Sequence, residues 1–144
     1  MIGRDAILAL IPHQGAMCLL DTVESWSAQG IHAVSCSHLA MDNPLRRDGR
    51  LNMVCGAEYA FQAAALHGAL LAGNTPQKPG YVASLRLARI DSDRLDDPAH
   101  GKLQVHATLE LNDPAGLIYG FALQSEAGAL LLEGRGTIIF PTGA

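Results

Sequence analysis

The sequence has no C-x-x-C pair. Its three cysteines, Cys18, Cys36 and Cys55, are odd in number and widely spread, which argues against a disulfide framework or a zinc site and for a reducing compartment. As small buried hydrophobes they need no further role. No H-E-x-x-H or H-x-x-x-H spacing is present to hold a catalytic metal, and no serine sits in a nucleophile elbow. Gly134-Arg135-Gly136 lacks the strand-turn-helix setting of a phosphate loop. Arg4 and Asp5 interrupt the segment where a signal peptide would be apolar. The longest apolar run, Ala60 to Gly73, is broken by Gln62 and His67 and is too short to span a bilayer. Basic excess is missing as well: 10 Lys and Arg against 14 Asp and Glu give a net charge of −4, which argues against nucleic acid as a main partner. These absences lead to the expectation of a soluble, cytoplasmic protein.

What is present is a globular composition, with 49% hydrophobic and 17% charged residues in 144, enough for a real core. No repeat or linker divides the chain, so residues 1–144 are expected to form one domain. Ile2 to Leu10 reads as a short helix stopped by Pro12. "CLLDTVESWS" and "GIHAVSCS" read as two strands joined at Ala28-Gln29-Gly30. A polar loop, "MDNPLRRDGR", leads into "LNMVCGAEYAFQAAALHGALLAG", Leu51 to Gly73, a helix apolar on every side that ends at Asn74, Thr75, Pro76 and Pro79-Gly80.

Four more strands follow: "GYVASLRLARI", "KLQVHATLEL", "LIYGFALQSE" and "ALLLEGRGTIIF". In the second of these, Leu103, Val105, Ala107, Leu109 and Leu111 alternate with polar residues, the period of a half-buried antiparallel strand. The order predicts an α+β fold in which an antiparallel sheet of about six strands curls around one helix, a hot-dog arrangement. A single sheet leaves the helix's far side uncovered, so a homodimer or heterodimer is expected.

Within the helix the one charge is Glu58. Gln62 follows at i+4 on the same face, within hydrogen-bonding reach. There, desolvation would raise the carboxyl's pKa and the helix N-terminus would lower it, and a group so poised suits general acid/base work. The alternative is a first-turn Glu satisfied by hydrogen bonds or by an arginine. His13, in a Pro-bounded loop before the first strand, is a candidate acid or base, or else a solvated loop histidine. His38, His67, His100 and His106 have less to recommend them. Arg46, Arg47 and Arg50 read either as a solvated loop or as a landing patch for an acidic, phosphopantetheine-bearing protein.

"IPHQGAMCLLDTVESW" resembles the opening of hot-dog 3-hydroxyacyl-acyl-carrier-protein dehydratases (FabA/FabZ-like), whose pattern is close to L-P-H-R-x-P-x-L-L-x-D. "GAEYAFQAAALHG" resembles the start of their central helix, where an acid is followed four residues later by Gln; Glu58 and Gln62 fall on those positions. The helix also resembles that of the divergent branch found with aryl-polyene biosynthesis. The resemblance implies a dimer with acyl tunnels between subunits, no metal or soluble cofactor, and an acyl thioester on a carrier protein or coenzyme A as substrate. It also implies that backbone amides at the helix start, around Met53 and Gly56, take the thioester oxygen.

One departure stands out. The G-H-F-P histidine of those enzymes, fourteen residues before the helix acid, is replaced here by Pro44. The implied function is therefore a dehydratase with Glu58 as acid/base, Gln62 orienting it and His13 as substitute base, or the Glu-bearing subunit of a pair whose partner supplies the histidine. A hot-dog thioesterase and a non-catalytic acyl-thioester-binding subunit are the alternatives.

Overall fold

The strand, strand, helix, four-strand order is the one the chain adopts. The computed structural model describes residues 1–75 and 80–140; Pro76 and Pro79, expected to help end the long helix, lie outside the described residues. A short helix α1 (Arg4–Leu10) precedes strands β1 (Thr22–Trp26) and β2 (Gly30–Ser35). The long helix α2 (Gly56–Leu71) is followed by β3 (Tyr81–Ile90), β4 (Leu103–Asp113), β5 (Gly116–Gln124) and β6 (Leu130–Ile139). The strands form one antiparallel sheet in the order β1-β2-β4-β5-β6-β3, wrapped on α2, so the hot-dog arrangement is present. No helix among the described residues is long and apolar enough to cross a membrane.

The α-helix is shorter than Leu51 to Gly73 because tertiary hydrogen bonds take its first residues. Met53 N–H donates to Asp93 C=O (2.9 Å) and Leu95 N–H to Leu51 C=O (2.9 Å), tying that stretch to residues 93–95. Asn52 caps a short 3₁₀ turn, Met53–Cys55, by accepting from Val54 N–H. At the far end Gly73 (φ 77°) and Asn74 (φ 62°) take the left-handed conformation that stops helices. At Gly56 α2 packs close on the sheet: a Cβ there would lie 2.8 Å from Leu123 Cδ2 and 2.9 Å from Leu132 Cδ2.

The sheet side of α2 buries Tyr59, Ala60, Ala63, Leu66, His67 and Leu70 against Leu103, Val105, Phe121, Leu123 and Leu132. Leu111 departs from the expected alternation. A bulge between Leu109 and Leu111 shifts the register, so Leu111 is exposed and Glu110 reaches Arg135 instead (2.6 Å). β1 starts four residues later than expected, because Leu19 N–H is drawn to the Gln62 side chain (2.9 Å) rather than to a neighbouring strand.

Candidate functional site

Along α2, residues Glu58, Phe61, Ala65, Gly68 and Ala72 form a stripe that the sheet leaves at least partly open. Their spacing keeps them on one helical face, and apart from Glu58 and Phe61 they are small. This stripe floors a groove of about 910 Å³. Its walls come from Leu10, Pro12 and His13 on one side, and from the β4–β5 turn with Leu117 and Tyr119 on the other. From Glu58 to Ala72 the floor runs about 21 Å at ~1.5 Å per residue, a narrow apolar channel with a carboxylate near one end.

The groove brings together Glu58, Gln62 and His13. Glu58 is exposed to it, not enclosed, and has no hydrogen-bonding or ion-pairing partner among the described residues. His13 is half-buried, and its Nδ1 is shut away from solvent without a hydrogen-bond partner. Gln62 is buried, and its amide is directed differently from expectation. Oε1 accepts from Leu19 N–H (2.9 Å) and Nε2 donates to Met17 C=O (2.7 Å), so the side chain holds the loop after His13 instead of orienting Glu58.

Other expected site residues lie elsewhere. Met53 and Gly56 do not border the groove among its lining residues, and their amides are engaged: Met53 N–H on Asp93, Gly56 N–H within the 3₁₀ turn. Val54 and Cys55 amides are taken by Asn52 as well (both 3.0 Å). The helix start therefore offers no free donor at residues 53–56. Arg46 is a structural residue, not a landing residue. Its guanidinium binds Asp96 (2.9 Å) and the carbonyls of Ala40, His38 and Gly49, and its side chain is 12% exposed. Arg94 from its own segment and Arg46 from the loop hold the buried Asp96 carboxyl well below the usual carboxylate range. Arg47 and Arg50 remain exposed. Their backbones pair across Asp48 (φ 53°) and Gly49 (φ 72°), a tight turn that puts the two arginines opposite each other.

The remaining histidines have structural surroundings. His67 Nε2–H donates to Ser27 C=O (2.7 Å), which in the neutral ring leaves Nδ1 to accept from the Tyr119 hydroxyl (2.7 Å). That pair, a polar contact beneath the groove wall, was not expected from sequence; Tyr119's place in the inward-facing alternation of β5 was its only signal. His106 stacks on His32 (4.3 Å between centroids) on the sheet's outer face, and His100 Nε2 meets Arg94 C=O (2.9 Å).

His38 is fully buried, and desolvation pushes its pKa down from 6.5 to about 4. The unfolded chain binds a proton there that the folded chain refuses, so stability is complete above about pH 6.5 and falls as pH drops toward 4. The shift corresponds to about 3 kcal/mol. Thermal melts of wild type and His38→Phe between pH 7 and 4 check this: the wild-type curve should fall more steeply, and parallel curves would count against it.

The curled sheet around one helix, with an open helix face as a groove, defines a hot-dog protein. Solved structures of similar fold include the dehydratase heterocomplex ApeI:P from Xenorhabdus doucetiae, at 20% identity over 95% of this chain and 91% of that one, with a TM-score of 0.78. Zebrafish thioesterase superfamily member 2 is similar at 13% identity, over 95% and 94% of the two chains, with a TM-score of 0.66. A hypothetical thioesterase with coenzyme A from Streptococcus pneumoniae is similar at 10% identity, over 82% and 83%, with a TM-score of 0.56. No curated protein matches by sequence. The family model ApeP-like, described as ApeP dehydratase, matches residues 5–142, and the chain belongs to that family.

Proposed function

We propose that this chain removes water from 3-hydroxyacyl thioesters, alone or as the Glu58-bearing subunit of a hot-dog pair, in the assembly of fatty or polyene-type chains. The observation that carries this reading is the placing of Glu58 and His13 on one apolar groove. Elimination removes a proton from Cα, forms the Cα=Cβ bond from that electron pair, and expels the Cβ hydroxyl as water once it is protonated. An imidazole takes the Cα proton and Glu58, in its acid form, protonates the departing hydroxyl; the enzyme is restored by returning the proton from the imidazole to the carboxylate. His13 is the imidazole this chain brings to its own groove. In a pair, the partner's histidine supplies the group whose G-H-F-P position is Pro44 here.

The pairing itself is supported by β3. It is the sheet's last strand, ten residues long, with all but Leu87 exposed, including Tyr81, Val82 and Leu85. An open apolar edge of that length invites a second strand. The likeness to a dehydratase heterocomplex makes a related hot-dog subunit the natural partner. Arg47 and Arg50 are then the cations left to attract an acidic carrier protein, in a cytoplasmic setting. Hydrolysis of the thioester is the second reading, favoured by the exposure of Glu58 to the open groove, where it could activate water. The test between them is product identity: a conjugated enoyl thioester supports dehydration, and free thiol with the intact 3-hydroxy acid supports hydrolysis.

If the groove carries the acyl chain, its floor sets the length accepted. Ala65 lies two turns beyond Glu58, about 10.5 Å along the axis. Ala65→Leu should leave short 3-hydroxyacyl thioesters unaffected and penalise long ones. At roughly 0.8 kcal/mol per excluded methylene, four methylenes amount to roughly 3 kcal/mol, or about 10²-fold in kcat/KM. Equal losses for short and long substrates would mean that the chain runs elsewhere.

A further inference from the structure

We infer that Gln62 is a positioning residue that fixes His13 relative to Glu58 by clamping the loop between His13 and β1. The inference rests on the proposed role of His13 and Glu58 at the groove. Gln62 sits one turn from Glu58 on the same rigid helix. Its carboxamide is used at both ends: the oxygen accepts from Leu19 N–H (2.9 Å) and the nitrogen donates to Met17 C=O (2.7 Å). Both bonds are made by a side chain that is 2% exposed, in a site where water cannot readily replace either one.

The rest of the loop is tied elsewhere. Arg4 of α1 holds Gly15 C=O (2.8 Å) and Cys18 C=O (3.0 Å). Gln14 Nε2 donates to Leu8 C=O (2.8 Å). The carbonyl of Leu19 receives the hydroxyls of Ser35 and Ser37. Those contacts anchor the loop to α1, to β2 and to Ser37 just beyond it, and among the described residues Tyr59 reaches it by hydrogen bonds through Ser37 (2.8 Å). Among the described residues, Gln62 makes the direct side-chain hydrogen bonds between the loop and the helix that carries the carboxylate.

The clamp demands one acceptor and one donor, side by side. A neutral carboxylic acid meets that demand with its C=O and O–H, whereas a carboxylate presents an oxygen to Met17 C=O and repels it. Gln62→Glu is therefore a variant whose clamp can be restored by protonation. The titratable groups bordering the groove with it are His13, Glu58, Asp113, Tyr81 and Tyr119, so its pH profile must be taken as a ratio to wild type.

The experiment combines the steady-state dehydration of a 3-hydroxyacyl thioester with NMR of the full chain. Wild type should show a Leu19 amide protected from exchange. Gln62→Glu at pH 8 should lose the bond to Met17 C=O, seen as a shift of the Met17 carbonyl carbon signal, shift the His13 ring signals, and lower kcat by about 10–100-fold with KM little changed. On lowering the pH toward 5 the ratio to wild type should recover, while Gln62→Leu should stay low throughout. A Leu19 amide that exchanges freely in wild type, or His13 signals that do not move in Gln62→Glu, would overturn the clamp. So would a ratio to wild type that is flat with pH. The NMR outcomes hold whether or not the chain dehydrates the substrate. Loss of the clamp with normal turnover, or an intact clamp on a protein that makes no enoyl product, would separate this inference from the functional reading it rests on.

Discussion

Glu58→Gln is expected to slow enoyl-thioester formation by about 10²–10⁴-fold, the usual worth of a positioned acid/base group. The substitution keeps the shape and removes the ability to give or take a proton. Glu58 is exposed and unpartnered among the described residues, so the change should move stability by no more than about 0.5 kcal/mol. A drop in rate therefore cannot be assigned to unfolding, and a thermal melt of the variant verifies that. The effect should fall on kcat, because the carboxyl acts on the hydroxyl as it leaves and not on the thioester's resting contacts. A rate within twofold of wild type, with the fold intact, would remove Glu58 from the chemistry.

The second large effect is expected on assembly. Mixing this chain with a histidine-bearing hot-dog dehydratase subunit should give a heterodimer and raise turnover over this chain alone by about 10²-fold or more, since a second proton-transfer group contributes on that scale. Two features of the chain underlie this expectation. The face of α2 that floors the groove is left open by its own sheet, so water reaches Glu58 until something covers it. At the G-H-F-P position stands Pro44, which has no proton to transfer. By the same argument this chain brings no such histidine to its partner's acid, and a heterodimer should contain one productive site. Light scattering with size-exclusion chromatography reports the assembly. Replacing the partner's histidine by alanine should abolish the gain. Species that remain separate, with rates that simply add, would exclude the paired reading.

The parts of this site that the sequence made legible are those governed by local pattern. A lone carboxylate in an apolar helix singled out Glu58 as a candidate, and the structure leaves it exposed on the groove. The strand periodicities predicted the sheet, and with it the surplus helix face. What escaped was governed by partners distant in sequence. Arg46 looks like a surface cation until Asp96, fifty residues away, closes on it (2.9 Å). The amide of Met53 looks free at a helix start until Asp93 accepts from it (2.9 Å). Gln62 at i+4 from Glu58 suggested a local pair, but two backbone groups from residues 17 and 19 compete for its amide and win, because unmet buried backbone groups are costly. Leu111 illustrates a further limit: one bulged residue reverses which face a side chain takes, and period-2 counting cannot foresee it.

The most direct measurement of the central claim is the mass of a 3-hydroxyacyl group on its carrier protein after incubation with the assembled heterodimer, carrying either wild-type Glu58 or Glu58→Gln. The wild-type complex should shorten the acyl group by the mass of one water while leaving the thioester intact, and the variant complex should leave it unchanged. An acyl group lost whole with its thiol freed, or water lost equally with both complexes, would contradict the account.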